Sequence, residues 1–176
     1  MAANEAHSMK TRFGAYELDE TAHELRKNGV GIHLQDQPWE VLCALLERLR
    51  ALWLGAGGVP PFEDRWNIVF AFAAEVRALG PANFIYSDGD VLYVHAHRRM
   101  HGTEGIRPPG LHVIERRCPA GEHSWNALGL AIGSGGGEQR VFLAASVPLT
   151  EETAWQALAE GELVAARGGE IVRRVV

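Results

Sequence analysis

Three histidines crowd into one short stretch, SDGDVLYVHAHRRMH, residues 87–101. His95 and His97 alternate onto one face of an expected strand. His101 could fold back from the loop that follows, and three converging imidazoles with an open fourth position would suit Zn²⁺. No carboxylate stands where the sequence would let it orient them as supporting hydrogen-bond partners. The preferred reading is a polar face at a sheet edge, with no metal ligand and no cofactor assigned. The two cysteines are the other groups that could do covalent chemistry. Cys43 sits among Leu42, Ala44 and Leu45 and reads as a buried structural thiol. Cys118 has Arg117 beside it, a cation that could lower a thiol pKa, but a structural role is preferred there too. No catalytic residue is assigned. Arg98-Arg99 and Arg116-Arg117 could bind a carboxylate or phosphate, against the blander account of solvated strand ends. The glycines at 135–137 are followed by no Lys or Ser/Thr at phosphate-loop spacing.

The elements that must hold these residues follow from periodicity and punctuation. Residues 1–10 read as a loose tail. FGAYELDETAHELRKNGVGIHL alternates like short strands, with Phe13, Ala15 and Leu18 inward and an Asn28-Gly29 hairpin turn. From Trp39 a helical period places Leu42, Leu45, Leu46, Leu49, Leu52 and Trp53 on one face, after Pro38 in the first turn. GAGGVPP at 55–61 ends that helix. A second helix spans about 62–79, its expected stripe being Trp66, Val69, Phe70, Ala73, Val76 and Leu79, and Gly80-Pro81 closes it. Strands follow: ANFIYS, a two-residue Asp88-Gly89 turn, DVLYVHAH, then LHVIERRC and VFLAASVPL. GSGGG at 133–137 reads as a flexible loop tip. Thr150 would cap a short helix over EETAWQALA, and ELVAAR and EIVRRVV would pair about Gly168-Gly169. Hairpin-joined strands with grouped helices predict an α+β fold rather than a doubly wound sheet.

Composition limits the function classes. The chain has 176 residues, 47% hydrophobic and 22% charged, as ordinary globular proteins do. A net charge of -5 excludes nucleic-acid binding by bulk electrostatics. The cysteines lie 75 positions apart, outside any CxxC pairing, which predicts a reducing cytoplasm. MAANEAHSMK has no apolar core of a secretory signal, and no uncharged run is long enough to predict a membrane span.

Several ordered pieces carry a resemblance. LCALLERLRALW, GPANFIYSDGDVLYVHAHRR, PPGLHVIERRCP, VFLAASVPLT and TAWQALAEGELVAARGGEIV follow one another from about Val41 to the end. In that order they resemble the C-terminal half of the class II glutamine amidotransferases, the Ntn-hydrolase kind. The resemblance implies a partial αββα domain of antiparallel sheets with flanking helices. It also implies a family activity, hydrolysis of glutamine to glutamate and ammonia by an N-terminal cysteine whose own α-amino group serves as base. FGAYELDETAHELRKNGVGIHLQDQPWEVLCALLER, in turn, resembles the opening of a response-regulator-type winged-helix domain, without its recognition helix.

The expected organisation is therefore a tail at 1–10, a winged-helix-like β segment at 11–36 and an amidotransferase-like half at 37–176. Positions 1 and 2 are Met and Ala, so the family's nucleophile is not expected, nor is glutamine as a turned-over ligand. Residues 1–59 hold six Lys/Arg against eight Asp/Glu, and a DNA-binding or regulatory module is the alternative function. A second alternative is a non-catalytic binding protein that self-associates through an unpaired sheet edge. The expected partner is a second copy of the chain, with no membrane and no nucleic acid.

Overall fold

The structure, a computed structural model, describes residues 10–118, 123–127, 130–134, 137–151 and 153–176. The expected tail lies outside the described residues except for Lys10, which opens a strand, and of the glycine-rich tip at 133–137 residues 135 and 136 lie outside them. The chain forms two compact units, Met1–Pro60 and Pro61–Val176. Among the described residues the architecture is α+β, with antiparallel sheets and two α-helices, as the sequence predicts.

The first unit is a four-stranded meander, β1 (Lys10–Phe13), β2 (Tyr16–Asp19), β3 (Glu24–Lys27) and β4 (Val30–Ile32), followed by α1 (Asp36–Ala56). Asn28 and Gly29 both have positive φ, 50° and 80°, the conformation that turns β3 tightly into β4. Leu18, Leu25 and Trp39 are buried together, with Leu42, Cys43 and Leu46 against them, so the meander and the helix share one core. The 36/37 boundary read from the sequence thus falls inside this unit. Ala15 is exposed, not inward: it lies in the Gly14-Ala15 turn between β1 and β2. Gly57, at φ 65°, caps α1 where GAGGVPP predicts its end.

The second unit opens with α2 (Phe62–Leu79). A four-stranded antiparallel sheet has the order β15-β14-β6-β5, built from β5 (Phe84–Ser87), β6 (Leu92–His95), β14 (Leu163–Arg167) and β15 (Glu170–Val175). A three-stranded sheet has the order β12-β9-β13, from β9 (His112–Cys118), β12 (Gln139–Ala145) and β13 (Gln156–Ala157). Two small hairpins complete it: β7 (Arg99–Met100) with β8 (Ile106–Arg107), and β10 (His123–Ala127) with β11 (Leu130–Ser134). Strand alternation separates two cores. Val91, Tyr93, Leu163 and Ala165 meet Trp66 and Val69 of α2. Val94, Ala96 and Val164 point the other way, onto Val113, Leu111, Leu158 and Phe142 of the second sheet. The layers run helix, sheet, sheet.

Three expectations are corrected. Phe70 and Leu79 are exposed (40% and 84%), while Arg65 and Phe72 take the buried positions on α2. The helix's buried face follows 65/66, 69, 72/73 and 76, and Leu79, the last helical residue, stays exposed. No helix forms over EETAWQALA among its described residues: Gln156 and Ala157 pair with Val113 and His112, and Leu158 N–H donates to the Leu111 carbonyl. Sheet pairing outcompetes the weak local helix signal. The connection at Asp88-Gly89 is four residues long, because Ser87 pairs with Leu92. Asp88 closes it by accepting from the backbone N–H groups of Asp90 and Val91 at 3.0 and 2.8 Å. Gly89 still needs φ 91°. Gly89→Val is therefore expected to cost more than about 1 kcal/mol, the scale of an incompatible turn residue. An unchanged urea midpoint would contradict this.

Candidate functional site

The histidine stretch lies where β6 leaves its sheet. His95 is fully buried on the α2 side, its ring 5.1 Å from Phe84. Its Nδ1 lies 3.2 Å from the Glu162 carbonyl, and its Nε2 has no partner. Burial, with Arg77 adding to it, pulls its pKa down to about 4, so the ring is neutral in the fold at pH 7. The expectation of a polar sheet face fails at this residue. His97, just past the strand, is buried and sits 3.3 Å from Glu160. Its N–H donates to Asn83 Oδ1 at 2.7 Å, while Asn83 Nδ2 donates to the Arg98 carbonyl. Gly110 lies so close to Asn83 that a Cβ there would overlap the amide. Contrary to the sequence reading, a carboxylate does attend this histidine. Glu160 also takes the Arg98 guanidinium, which holds its carboxyl below the usual range. His101 Nε2 lies 3.1 Å from the Pro109 carbonyl. The three imidazoles thus have separate partners. Among the described residues no group of three His, Cys, Asp or Glu is placed to hold a metal ion.

Sequence reasoning missed two buried charge clusters. Arg65, only 3% exposed, donates Nη1 to Asp88 at 2.6 Å and Nη2 to Asp90 at 2.8 Å. Arg167 joins through Asp90 at 2.8 Å, and the Arg65 guanidinium holds the Asp90 carboxyl low. Glu162 is 1% exposed, pairs with Arg174, and accepts the Ala159 N–H at 2.6 Å. The signal for Arg65 was present: it occupies the 65, 69, 72, 76 stripe of α2, where an apolar residue is expected.

A groove of about 340 Å³ opens at this end of the unit, lined by Ser87, Gly89, Asp90, Arg140, Phe142 and Gly169. Its two charged groups are already engaged, Asp90 as above and Arg140 with Glu170. Arg117 also reaches Glu170, at 3.7 Å, so Arg98 and Arg117 of the two arginine pairs are ion-paired. Both cysteines are free thiols. Cys43 packs in the first unit's core, where burial and then Glu20 push its pKa up. Cys118 ends β9, paired across the ladder with Gln139. Among the described residues, no helix is long and apolar enough to cross a membrane.

The architecture and this order of elements agree with comparisons to known proteins. No curated protein matches the chain. Among solved structures, a predicted glutamine amidotransferase from Pseudomonas aeruginosa is similar in fold, with a TM-score of 0.58 at 24% identity. The match covers 79% of this chain and 51% of that one, so the chain spans about half the length of the solved structure it resembles. The family model for class-II glutamine amidotransferases matches residues 18–175, running through both units and starting inside the segment with the winged-helix likeness. With a match over nearly its whole length, the chain belongs to the class II glutamine amidotransferases.

Proposed function

We propose that the chain carries the second half of a class II glutamine amidotransferase domain and does not itself hydrolyse glutamine. The family reaction releases glutamate and ammonia, and a cysteine nucleophile must be ionised or have a base at hand to begin it. The observation that carries the proposal is the setting of the two cysteines. Cys43 is a core thiol with a raised pKa. Cys118 stands in a strand ladder. Among the described residues neither is hydrogen-bonded to a histidine. Purified protein given glutamine is expected to release no ammonia above a buffer control. Turnover that Cys118→Ala abolishes would overturn the proposal and make Cys118 the nucleophile.

A second reading, a self-associating binding protein, is supported by β12. It lies at the edge of its sheet, and every residue from Val141 to Ala145 is only half-buried, on both faces. An edge strand with apolar side chains offers unpaired backbone groups and surface to a second copy. Light scattering is expected to give a multiple of 19.3 kDa. A monodisperse monomer would contradict it.

A further inference from the structure

We propose, resting on the self-associating reading, that β12 pairs antiparallel with β12 of a second copy about a twofold axis at Leu143. Two three-stranded sheets then join into one of six strands. Among the described residues, the four edges of the two larger sheets are not alike. β13 is two residues long and β5 four, too short to template much pairing. On β15, Val172 is an extra residue between Ile171 and Arg173, which face the consecutive Ala166 and Ala165 of β14. The Ile171 N–H beside it donates to Glu115 Oε1 at 2.6 Å. Short strands and bulges are the means by which sheets protect an edge. β12 has neither. Its seven residues run in unbroken register with β9, from Gln139 opposite Cys118 to Ala145 opposite His112. It pairs with no other strand among the described residues, and from Val141 to Ala145 it carries no charge. Arg140, near its start, is held by Glu170.

The chemistry of this edge selects a second β12 as its occupant. A charged strand would bring its charges unpaired against Val141, Phe142 and Leu143, which costs free energy. Another β12 brings none there. A twofold contact also uses each edge once, so the assembly closes at two copies. The register follows from side-chain size. With the axis at Leu143, Phe142 faces the partner's Ala144 and Val141 faces the partner's Ala145. Large side chains thus meet small ones on both faces of the joined sheet. Arg140 faces the partner's Ser146. With the axis at Phe142 instead, two rings would oppose each other on the core side, where Phe142 packs against the Val94, Leu111 and Val164 cluster. Shifts further toward Gln139 bring the two Arg140 guanidiniums together, and like charges directly opposite destabilise a pair.

Light scattering and cysteine cross-linking of the full chain test the pairing together. Leu143→Cys is oxidised with copper phenanthroline, the native cysteines being kept, and bridged peptides are mapped by mass spectrometry. Opposed residues of an antiparallel pair lie about 4.5–5.5 Å apart at Cα, within the reach of a disulfide. Leu143→Cys is expected to give a species of twice 19.3 kDa, bridged between two copies of one peptide. Val141→Cys and Ala145→Cys chains are expected to bridge to each other when mixed. Neither should bridge to itself, since each lies about 13 Å from its own counterpart at about 3.3 Å per residue. This mixed pair keeps the test decisive if Leu143→Cys does not fold. A dimer that forms none of these bridges overturns the edge pairing and leaves self-association standing. A Val141→Cys self-bridge overturns the axis at Leu143. A monomer at all concentrations overturns both the pairing and the self-associating reading.

Discussion

Arg65→Met is expected to destabilise the 61–176 unit by about 3–5 kcal/mol, the cost of removing one partner of a buried ion pair. The guanidinium and the Asp88 carboxylate are 4% and 1% exposed, so water cannot replace what the substitution removes. Methionine fills the stem's volume and stays compatible with a helix. The loss therefore reads the uncompensated Asp88 charge, not a cavity. Asp88 keeps its bonds from the Asp90 and Val91 N–H groups, which would donate equally to a neutral amide oxygen in its place. Adding Asp88→Asn to Arg65→Met should thus recover part of the loss, because the stranded charge is gone. Asp90→Asn should cost far less, since that carboxylate is 43% exposed. Urea unfolding of the three variants checks the order. A cost for Arg65→Met below that of Asp90→Asn would contradict it.

The second large effect is a pH dependence centred on His95. Its ordinary value of 6.5 applies to the unfolded chain, and its folded value lies at about 4. Between these the unfolded state binds the extra proton, so stability falls as pH falls through this window. The penalty is absent above pH 6.5 and complete below about 4. It amounts to roughly 3 kcal/mol at about 1.4 kcal/mol per pKa unit. The groups facing the ring are Arg77, His97 and the Glu162 carbonyl, and the two basic groups resist a second positive charge. Carboxylates held low by ion pairs, such as Asp90 and Glu160, lose their contribution in acid as well, at a pH below their ordinary range. Comparison with His95→Leu separates the two causes. The variant should show the carboxylate slope alone, flatter than the parent between pH 6.5 and 4. Equal slopes would show that His95 is not held neutral.

Much of the architecture was legible where local chemistry dictates the backbone. Asn28-Gly29 and Gly168-Gly169 specify hairpins by their tolerance of positive φ, which all four residues adopt. GAGGVPP and Gly80-Pro81 end the two helices because they cannot continue them. The rest depended on contacts distant in sequence. Whether Gln156-Ala157 is helix or strand is decided by β9, more than forty positions earlier, which needs a partner on its second edge. The burial of Arg65 is decided by Asp88 and Asp90, on the connection the helix packs against. Likewise Glu160 meets His97, and Glu162 meets Arg174, only after the chain has folded back on itself. The candidate site was half-read for this reason: its histidines were visible as a motif, but their carboxylate and carbonyl partners were not.

The central claim, that neither cysteine is a glutamine-hydrolysing nucleophile, is tested most directly by covalent capture. A diazoketone analogue of glutamine alkylates a thiol that can attack the substrate's side-chain carbonyl carbon, and an intact mass reads the adduct without depending on turnover. After incubation with the analogue, the protein is expected to keep its unmodified mass of 19.3 kDa. A single adduct mapped to Cys43 or Cys118, and blocked by excess glutamine, would contradict the account.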